Sequence, residues 1–173
     1  SGAIIDNQLV VATTDTLHSF STADGNERWS RELRGQASSI STTVIPDQQI
    51  GLIDFTYRQD YYIIAFETAS GDIKWSDSAL RMGGRGLTVF DDHVYATGLS
   101  ETAKEVIRCL RLDTGELLWQ RDIGNQDYYS TPVSSTTGVL IGEGTDIIVY
   151  DHTDGKQRAA VELPHGRIRS IAV

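Results

Sequence analysis

The sequence contains very little cysteine, since Cys109 is the single one among 173 residues. One thiol cannot form an intramolecular disulfide, a Cys-x-x-Cys redox pair or a zinc site built from several thiolates. The cysteine content therefore excludes these classes of site. It leaves the cellular compartment open, because a single thiol is compatible with reducing and oxidising surroundings alike.

Long apolar runs are also missing. No stretch approaches the roughly 18 residues that a membrane-spanning helix needs, so we predict no direct insertion into a membrane. The first residues, SGAIID, lack the basic and apolar regions of a secretory signal, and we expect no signal peptide within this sequence. Hydrophobic residues nevertheless make up 39% of the chain, which is enough to build a buried core.

Positive charge is scarce. Lysine and arginine together number 15 against 24 aspartates and glutamates, which gives a net charge of −9 at pH 7. An acidic surface repels a phosphate backbone, so the charge balance predicts that nucleic acid is not a partner.

Motifs that carry chemistry are absent or weak. The sequence has no serine-hydrolase, zinc-protease or phosphate-binding-loop motif, and the glycine-rich segment 83–86 precedes a predicted strand rather than a helix. Four histidines, His18, His93, His152 and His165, have spacings that suit no metal site, and we expect them to be exposed or associated with turns. We therefore predict no catalytic residue, no metal and no cofactor.

What the sequence does contain is a fourfold internal repeat. Each copy has a small or apolar residue, then a large apolar one, and then a turn that ends in glycine. A tryptophan follows four residues after that glycine, except in the last copy, where Ala159 takes its place. The four copies are residues 19–29, 65–75, 109–119 and 149–159.

The spacing of this repeat predicts the fold class. Its glycines, Gly25, Gly71, Gly115 and Gly155, are 46, 44 and 40 residues apart, a period typical of a four-stranded propeller blade. The turns have the composition that joins two antiparallel strands. We therefore predict an all-β protein, a β-propeller segment of four four-stranded antiparallel blades.

The repeat also predicts where the blades lie. A single propeller segment would cover the whole chain, with blades at 1–33, 38–80, 86–123 and 129–163 and the first strand of a fifth at 168–173. The strands of blade two are predicted at 41–45, 50–56, 62–67 and 72–76. The inner strand of blade four is predicted at 130–133. An open arc of blades exposes strand edges, so we expect self-association or the remainder of a larger propeller, with a closed four-bladed ring as the alternative.

The recurring tryptophans have a predicted structural role. A four-stranded blade cannot bury both of its faces alone, and an indole at a fixed place on the outer strand buries about 150–250 Å². We therefore predict that neighbouring blades are docked by Trp29, Trp75 and Trp119 together with the repeat glycines.

The pattern of a small and a large residue, a Thr-Gly turn and a later tryptophan resembles the PQQ-like repeat, the tryptophan-docking blade of quinoprotein propellers. Copies 65–75 and 109–119 match best, and the resemblance covers the whole chain. The family includes quinone-dependent alcohol dehydrogenases, BamB-like scaffolds of outer-membrane assembly and sensor propellers of kinases. The aspartate of the family pattern is kept only as Asp151, which implies structural blades rather than a cofactor-bearing ring.

The resemblance implies a non-enzymatic scaffold module with protein partners and favours an extracytoplasmic location. The first alternative is a fragment of a PQQ-dependent alcohol dehydrogenase. In those enzymes a ring formed by two adjacent cysteines covers the quinone, whereas this sequence has the single cysteine Cys109. The second alternative is the sensor propeller of a receptor kinase.

The loops that lead from one blade to the next carry basic and aromatic residues on an otherwise acidic chain. Arginine and tyrosine are enriched at the hot spots of protein interfaces. We predict that these loops bind a protein partner, such as an extended polypeptide. The residues concerned are Arg34, Arg81, Arg85, Tyr128, Tyr129, Arg167 and Arg169.

The docking role of the indoles leads to a first testable prediction. We expect Trp75→Ala to lower the free energy of unfolding by roughly 3–5 kcal/mol, because it removes a large buried ring. Denaturant titration followed by circular dichroism measures the change. A loss below about 0.5 kcal/mol, the range of an ordinary surface substitution, would mean that this indole is not packed between blades.

Overall fold

The computed structural model describes residues 1–33, 35, 37–81, 86–123, 130–164, 168 and 171. Over these residues the chain forms sixteen β-strands and one short 3-10 helix, Pro46–Gln48, and no α-helix. No helix in the described part of the chain is long and apolar enough to cross a membrane. The predicted all-β class is confirmed.

The chain divides into two compact units, residues 1–79 and 80–173. The first unit holds an antiparallel four-stranded sheet and a second set of four strands that belongs to an eight-stranded sheet. The last strand of this second set ends two residues into the second unit. Sheet one consists of β1 Gly2–Ile5, β2 Gln8–Ala12, β3 Thr16–Ser21 and β4 Glu27–Glu32. The second set consists of β5 Ser38–Ile45, β6 Ile50–Tyr57, β7 Asp60–Glu67 and β8 Ile73–Arg81.

The second unit repeats this arrangement. Its strands pair in chain order as two further sets of four. The third set consists of β9 Leu87–Phe90, β10 His93–Leu99, β11 Glu105–Arg111 and β12 Leu117–Asp122. The fourth set consists of β13 Val133–Ser135, β14 Gly138–Glu143, β15 Asp146–Tyr150 and β16 Gln157–Glu162. Each set is one blade of the predicted kind.

In blade two, β6 and β7 agree with the sequence prediction, whereas β5 begins at Ser38 rather than 41 and β8 continues to Arg81 rather than 76. Blade four differs in its inner strand. The inner strand β13 begins at Val133, whereas the sequence placed it at 130–133. Pro132 has no N–H to give to a strand ladder, so regular pairing starts after it. Ser130 instead makes an isolated contact, since its N–H donates to the carbonyl of Gly142 (2.9 Å) and its hydroxyl accepts from the N–H of Gly142 (2.9 Å).

The predicted strand at 168–173 lies mostly outside the described residues. Ile168 and Ile171 are described, and neither is part of a strand. The N–H of Ile168 donates to the carbonyl of Gly144 (2.9 Å), and its buried side chain packs where a Cβ on Gly142 would stand.

The glycine of every repeat has the backbone conformation that explains why the residue recurs. The φ angles of Gly25, Gly71, Gly115 and Gly155 are 74°, 74°, 73° and 64°. In each turn the glycine N–H donates to the carbonyl four residues earlier, at 2.8–3.0 Å. A side chain with a Cβ is strained at such angles, so glycine is the residue that closes this turn.

The hairpin after this turn contains a bulge that sets the position of the tryptophan. In blade one, Trp29 lies opposite Ser19 while Glu27 lies opposite Phe20, so one extra residue is inserted before the indole. Blade three has the same shift, with Trp119 opposite Cys109. The small residue of the repeat is therefore the cross-strand neighbour of the large ring.

Trp29 contacts the turn of the next blade in the first unit. Its indole N–H donates to the carbonyl of Thr68 (3.1 Å), and the side chain is 8% exposed. The ring lies directly over Gly71, where an added Cβ would come within 2.5 Å of it. It also meets Phe66 edge to face, with ring centroids 5.9 Å apart.

The second unit has the equivalent contact. The indole N–H of Trp119 donates to the carbonyl of His152 (2.8 Å), and a Cβ on Gly155 would lie 2.5 Å from its ring. Trp119 is 6% exposed and Trp75 is 8% exposed, so all three indoles are buried. In blade four, Ala159 at the same position is exposed.

This geometry leads to a second prediction, which compares Gly71→Ala with Gly25→Ala. Both glycines have φ +74°. A Cβ added at Gly25 would meet nothing within 4 Å, whereas one added at Gly71 would meet the Trp29 ring. Each substitution should therefore cost about 1–2 kcal/mol of backbone strain. We expect Gly71→Ala to cost about 1–3 kcal/mol more, because its methyl group overlaps the Trp29 ring. Chemical denaturation of both variants measures the difference, and equal losses would contradict the docking contact.

Candidate partner-binding site

The loops predicted to bind a partner lie almost entirely outside the described residues. This applies to Arg34, Arg85, Tyr128, Tyr129, Arg167 and Arg169, and also to His165. Arg81 is described, and its predicted place in a loop is wrong: it is the exposed last residue of β8, and it pairs with Leu99 of β10. The proposed role of these residues remains a prediction.

The first unit contains a cleft that the sequence did not predict. It has a volume of about 250 Å³ and lies where the end of β4 meets the outer strands of blade two. Its walls are mainly apolar, and one glutamate and two serine side chains add polar groups. The lining residues are Glu32, Leu33, Phe55, Tyr62, Ile64, Ile73, Ser76 and Ser78.

The apolar part of this cleft is well fixed. Leu33, Phe55 and Ile64 belong to a core cluster that also contains Trp29 and Phe66. Tyr62 packs against this cluster and stacks on Phe55 with ring centroids 5.2 Å apart and an interplanar angle of 11°. The floor of the cleft is therefore attached to the same core that docks blade one on blade two.

The polar groups of the cleft are available for a ligand. Over the described residues, no hydrogen bond or ion pair engages the carboxylate of Glu32 or the hydroxyls of Ser76 and Ser78. All three residues are exposed. By contrast, the neighbouring Arg31 is occupied, since it donates to Asp72 (2.9 Å) and to the carbonyl of Ser70 (2.9 Å).

The second unit contains a polar and aromatic cluster around His152. Its ring stacks on Phe90 with centroids 4.7 Å apart, and Nε2 lies 2.7 Å from the carbonyl oxygen of Ser135. A carbonyl can only accept, so Nε2 carries a proton and donates. In the neutral ring Nδ1 then accepts from the hydroxyl of Tyr95, at 2.6 Å. The hydrogen bond from Tyr95 and the stacking on Phe90 hold blade four against blade three, while the bond to Ser135 fixes the ring within blade four.

Tyr95 and Cys109 are buried, and burial disfavours their ionised forms. Burial raises the pKa of the Tyr95 hydroxyl well above its ordinary value, so it remains a proton donor to His152. Burial also raises the pKa of the Cys109 thiol to about 12. A nucleophilic cysteine needs a lowered pKa and access, and Cys109 has neither, because its side chain is fully buried in β11.

Asp54 is the buried carboxyl group of the first unit. Burial raises its pKa, and the Tyr61 hydroxyl donates to Oδ2 at 2.9 Å. Asp54 does not line the cleft. It is a paired group inside blade two rather than an acid or base facing a ligand.

The described residues do not fit the quinone and calcium of the dehydrogenases that the repeat resembles. Among them, no group of three or more His, Cys, Asp or Glu side chains could hold a metal ion. The sequence has one cysteine, which cannot supply the adjacent pair that covers the quinone in that family.

Sequence reasoning missed two features of these sites. His152 lies in a turn, as expected, but its half-buried position at a blade junction was not predicted. His18 and His93 were expected to be exposed or associated with turns and are instead half-buried in strands β3 and β10. The cleft was missed because its residues come from four strands and the segment after β4. The one available signal was Ile73, a large apolar residue two positions before the docking tryptophan.

A family model described as outer membrane protein assembly factor BamB matches residues 3–137. No curated relative matches the sequence.

Solved structures share the fold at low sequence identity. BamB from Moraxella catarrhalis is 16% identical with a TM-score of 0.70, and the match covers 94% of this chain and 47% of that one. The computationally designed Ika8 protein is 15% identical with a TM-score of 0.68, covering 97% and 50%. Quinohemoprotein alcohol dehydrogenase from Comamonas testosteroni is 19% identical with a TM-score of 0.68, covering 99% and 38%. The chain thus spans about half the length of these proteins or less.

The burial of Cys109 leads to a third prediction. We expect a water-soluble thiol reagent at pH 8 to modify the native chain at least about a hundredfold more slowly than the chain unfolded in guanidinium, because the thiolate is disfavoured and shielded. The release of the reagent's chromophore measures both rates. Comparable rates in the two states would show that Cys109 is accessible and would reopen a nucleophilic role.

Proposed function

Because the chain belongs to the family of the outer membrane protein assembly factor BamB, we propose that it is a non-enzymatic scaffold that binds protein partners in outer-membrane protein assembly. The observation that carries this proposal is the family match, which extends over residues 3–137. The proposal places the protein in the cell envelope.

The blade junctions support a scaffold role. Trp29 joins two blades in the first unit, and Trp119 with His152 joins two in the second. Surfaces on blades held in this way lose little conformational freedom when a partner binds, so more of the contact energy appears as affinity.

The loops between blades are the proposed binding surface. Its basic and aromatic anchors would be Arg81 at the end of β8 and the loop residues Arg34, Arg85, Tyr128, Tyr129, Arg167 and Arg169. The chain as a whole carries a net charge of −9. A local basic surface on an acidic protein favours an acidic or extended polypeptide and disfavours nonspecific partners.

The alternative enzymatic function is that of a quinoprotein dehydrogenase fragment. The likeness to the Comamonas testosteroni enzyme shows the shared fold, and a fold alone does not specify an activity. The alternative requires binding of PQQ and calcium. A titration that shows saturable quinone absorbance bound to the chain, with calcium dependence, would favour the enzyme over the scaffold.

The scaffold proposal leads to a fourth prediction. The double variant Arg85→Glu with Arg167→Glu reverses two charges on the proposed surface. We expect cross-linked envelope partners, purified with the tagged protein from cells of its source and identified by mass spectrometry, to include outer-membrane assembly proteins. We expect their recovery to fall about tenfold or more in the variant, because like charges now face the partner.

The control is Arg28→Glu with Lys74→Glu, which makes the same change in charge. Both residues are exposed on outer strands β4 and β8, away from the loops. The control variant should recover the partners as the unmodified chain does. Unchanged recovery with the loop variant, or the absence of any assembly protein, would contradict the proposal.

A further inference from the structure

The cleft in the first unit has the dimensions of one long side chain rather than of a cofactor. Sites for drug-sized molecules are typically about 300–1,000 Å³, and this one is about 250 Å³. Its floor of Leu33, Phe55, Tyr62 and Ile64 is held by the blade core, so it does not have to be formed when a ligand arrives.

One wall of the cleft exposes apolar surface. Ile73 is 48% exposed, although it lies on β8 close to the buried Trp75. An aliphatic group seated beside Ile73 would remove this surface from water. The apolar walls therefore select a ligand with a hydrocarbon portion.

The rim selects a cationic end with several donors. The Glu32 carboxylate and the hydroxyls of Ser76 and Ser78 have no partner among the described residues. Three acceptors at the mouth of an apolar cleft match a guanidinium group, which has five N–H donors on an apolar stem and no acceptor. The net charge of −9 adds a favourable long-range field for a cation.

We propose that the cleft lined by Glu32, Phe55, Tyr62, Ile73, Ser76 and Ser78 receives an arginine side chain of a protein partner. The identity of the occupant as part of a protein rests on the proposed scaffold function. The stem packs on Tyr62 and Ile73, and the guanidinium donates to Glu32 and to the serine hydroxyls. This site is separate from the loop residues of the proposed binding surface.

The test uses three short alanine peptides that differ at one central position, which is arginine, citrulline or norleucine. Binding to the 173-residue chain is measured by NMR titration, with the affected amides assigned. We expect the arginine peptide to bind about tenfold or more tightly than the citrulline and norleucine peptides, because only arginine makes a charge-assisted contact. The shifted amides should belong to β4 and β8.

Two variants and a matched control test the residues. Glu32→Gln keeps the shape of an exposed side chain and should reduce the arginine advantage over citrulline to about threefold or less. Ser78→Phe places a ring in the cleft and should abolish binding of all three peptides. The control is Glu162→Gln, because Glu162 ends β16 of blade four as Glu32 ends β4, is exposed and has no cleft role. It should leave every affinity unchanged.

The outcomes separate this proposal from the scaffold function. Equal binding of the arginine and citrulline peptides, retention of the arginine advantage in Glu32→Gln, or no binding at all would overturn the arginine site. Cross-linked assembly partners that remain sensitive to Arg85 and Arg167 would then still support the scaffold. If the unmodified chain recovers no assembly protein while it still binds the arginine peptide, the scaffold is overturned and the cleft remains an arginine site.

Discussion

The contact between an indole ring and the glycine turn of the following blade is the interaction on which the rest of the structure depends. It satisfies the indole N–H with a turn carbonyl, as Trp29 does with Thr68 and Trp119 does with His152. It also requires a glycine beneath the ring, since Gly71 and Gly155 have no room for a Cβ. The same glycine closes the turn through its positive φ, so one residue type meets a local and a tertiary requirement together.

The candidate sites follow from this docking. The cleft exists because blade one ends at Glu32 and Leu33 beside the outer strands of blade two, a placement held by Trp29 and Phe66. The cluster around His152 has another use. The hydrogen bond from Tyr95 and the stacking on Phe90 hold blade four to blade three. Tyr95 and the neighbouring Cys109 keep their protons because burial raises their pKa. The cleft leaves its polar groups for a partner, whereas the cluster around His152 uses its polar groups in hydrogen bonds within the protein.

Much of the fold was predictable because the repeat combines local turn chemistry with a fixed spacing. Strands 50–56 and 62–67 of blade two agree with the observed β6 and β7 to within two residues at each end. The inner strand of blade four was placed too early, because Pro132 has no N–H for a strand ladder and regular pairing begins only at Val133. The cleft was not predictable, since Leu33, Phe55 and Ile73 are far apart in the sequence and meet only once two blades have packed.

The sequence by itself determined the repeat, the four-stranded blades, the family and the absence of a cysteine pair for a quinone. These properties depend on residue type and spacing, which are visible along the chain. Only the tertiary structure decided that Glu32, Ser76 and Ser78 share a cleft and that His152 joins Tyr95 to Ser135. The physical reason is that such groups are brought together by packing between blades, and sequence distance does not encode which side chains then remain without partners.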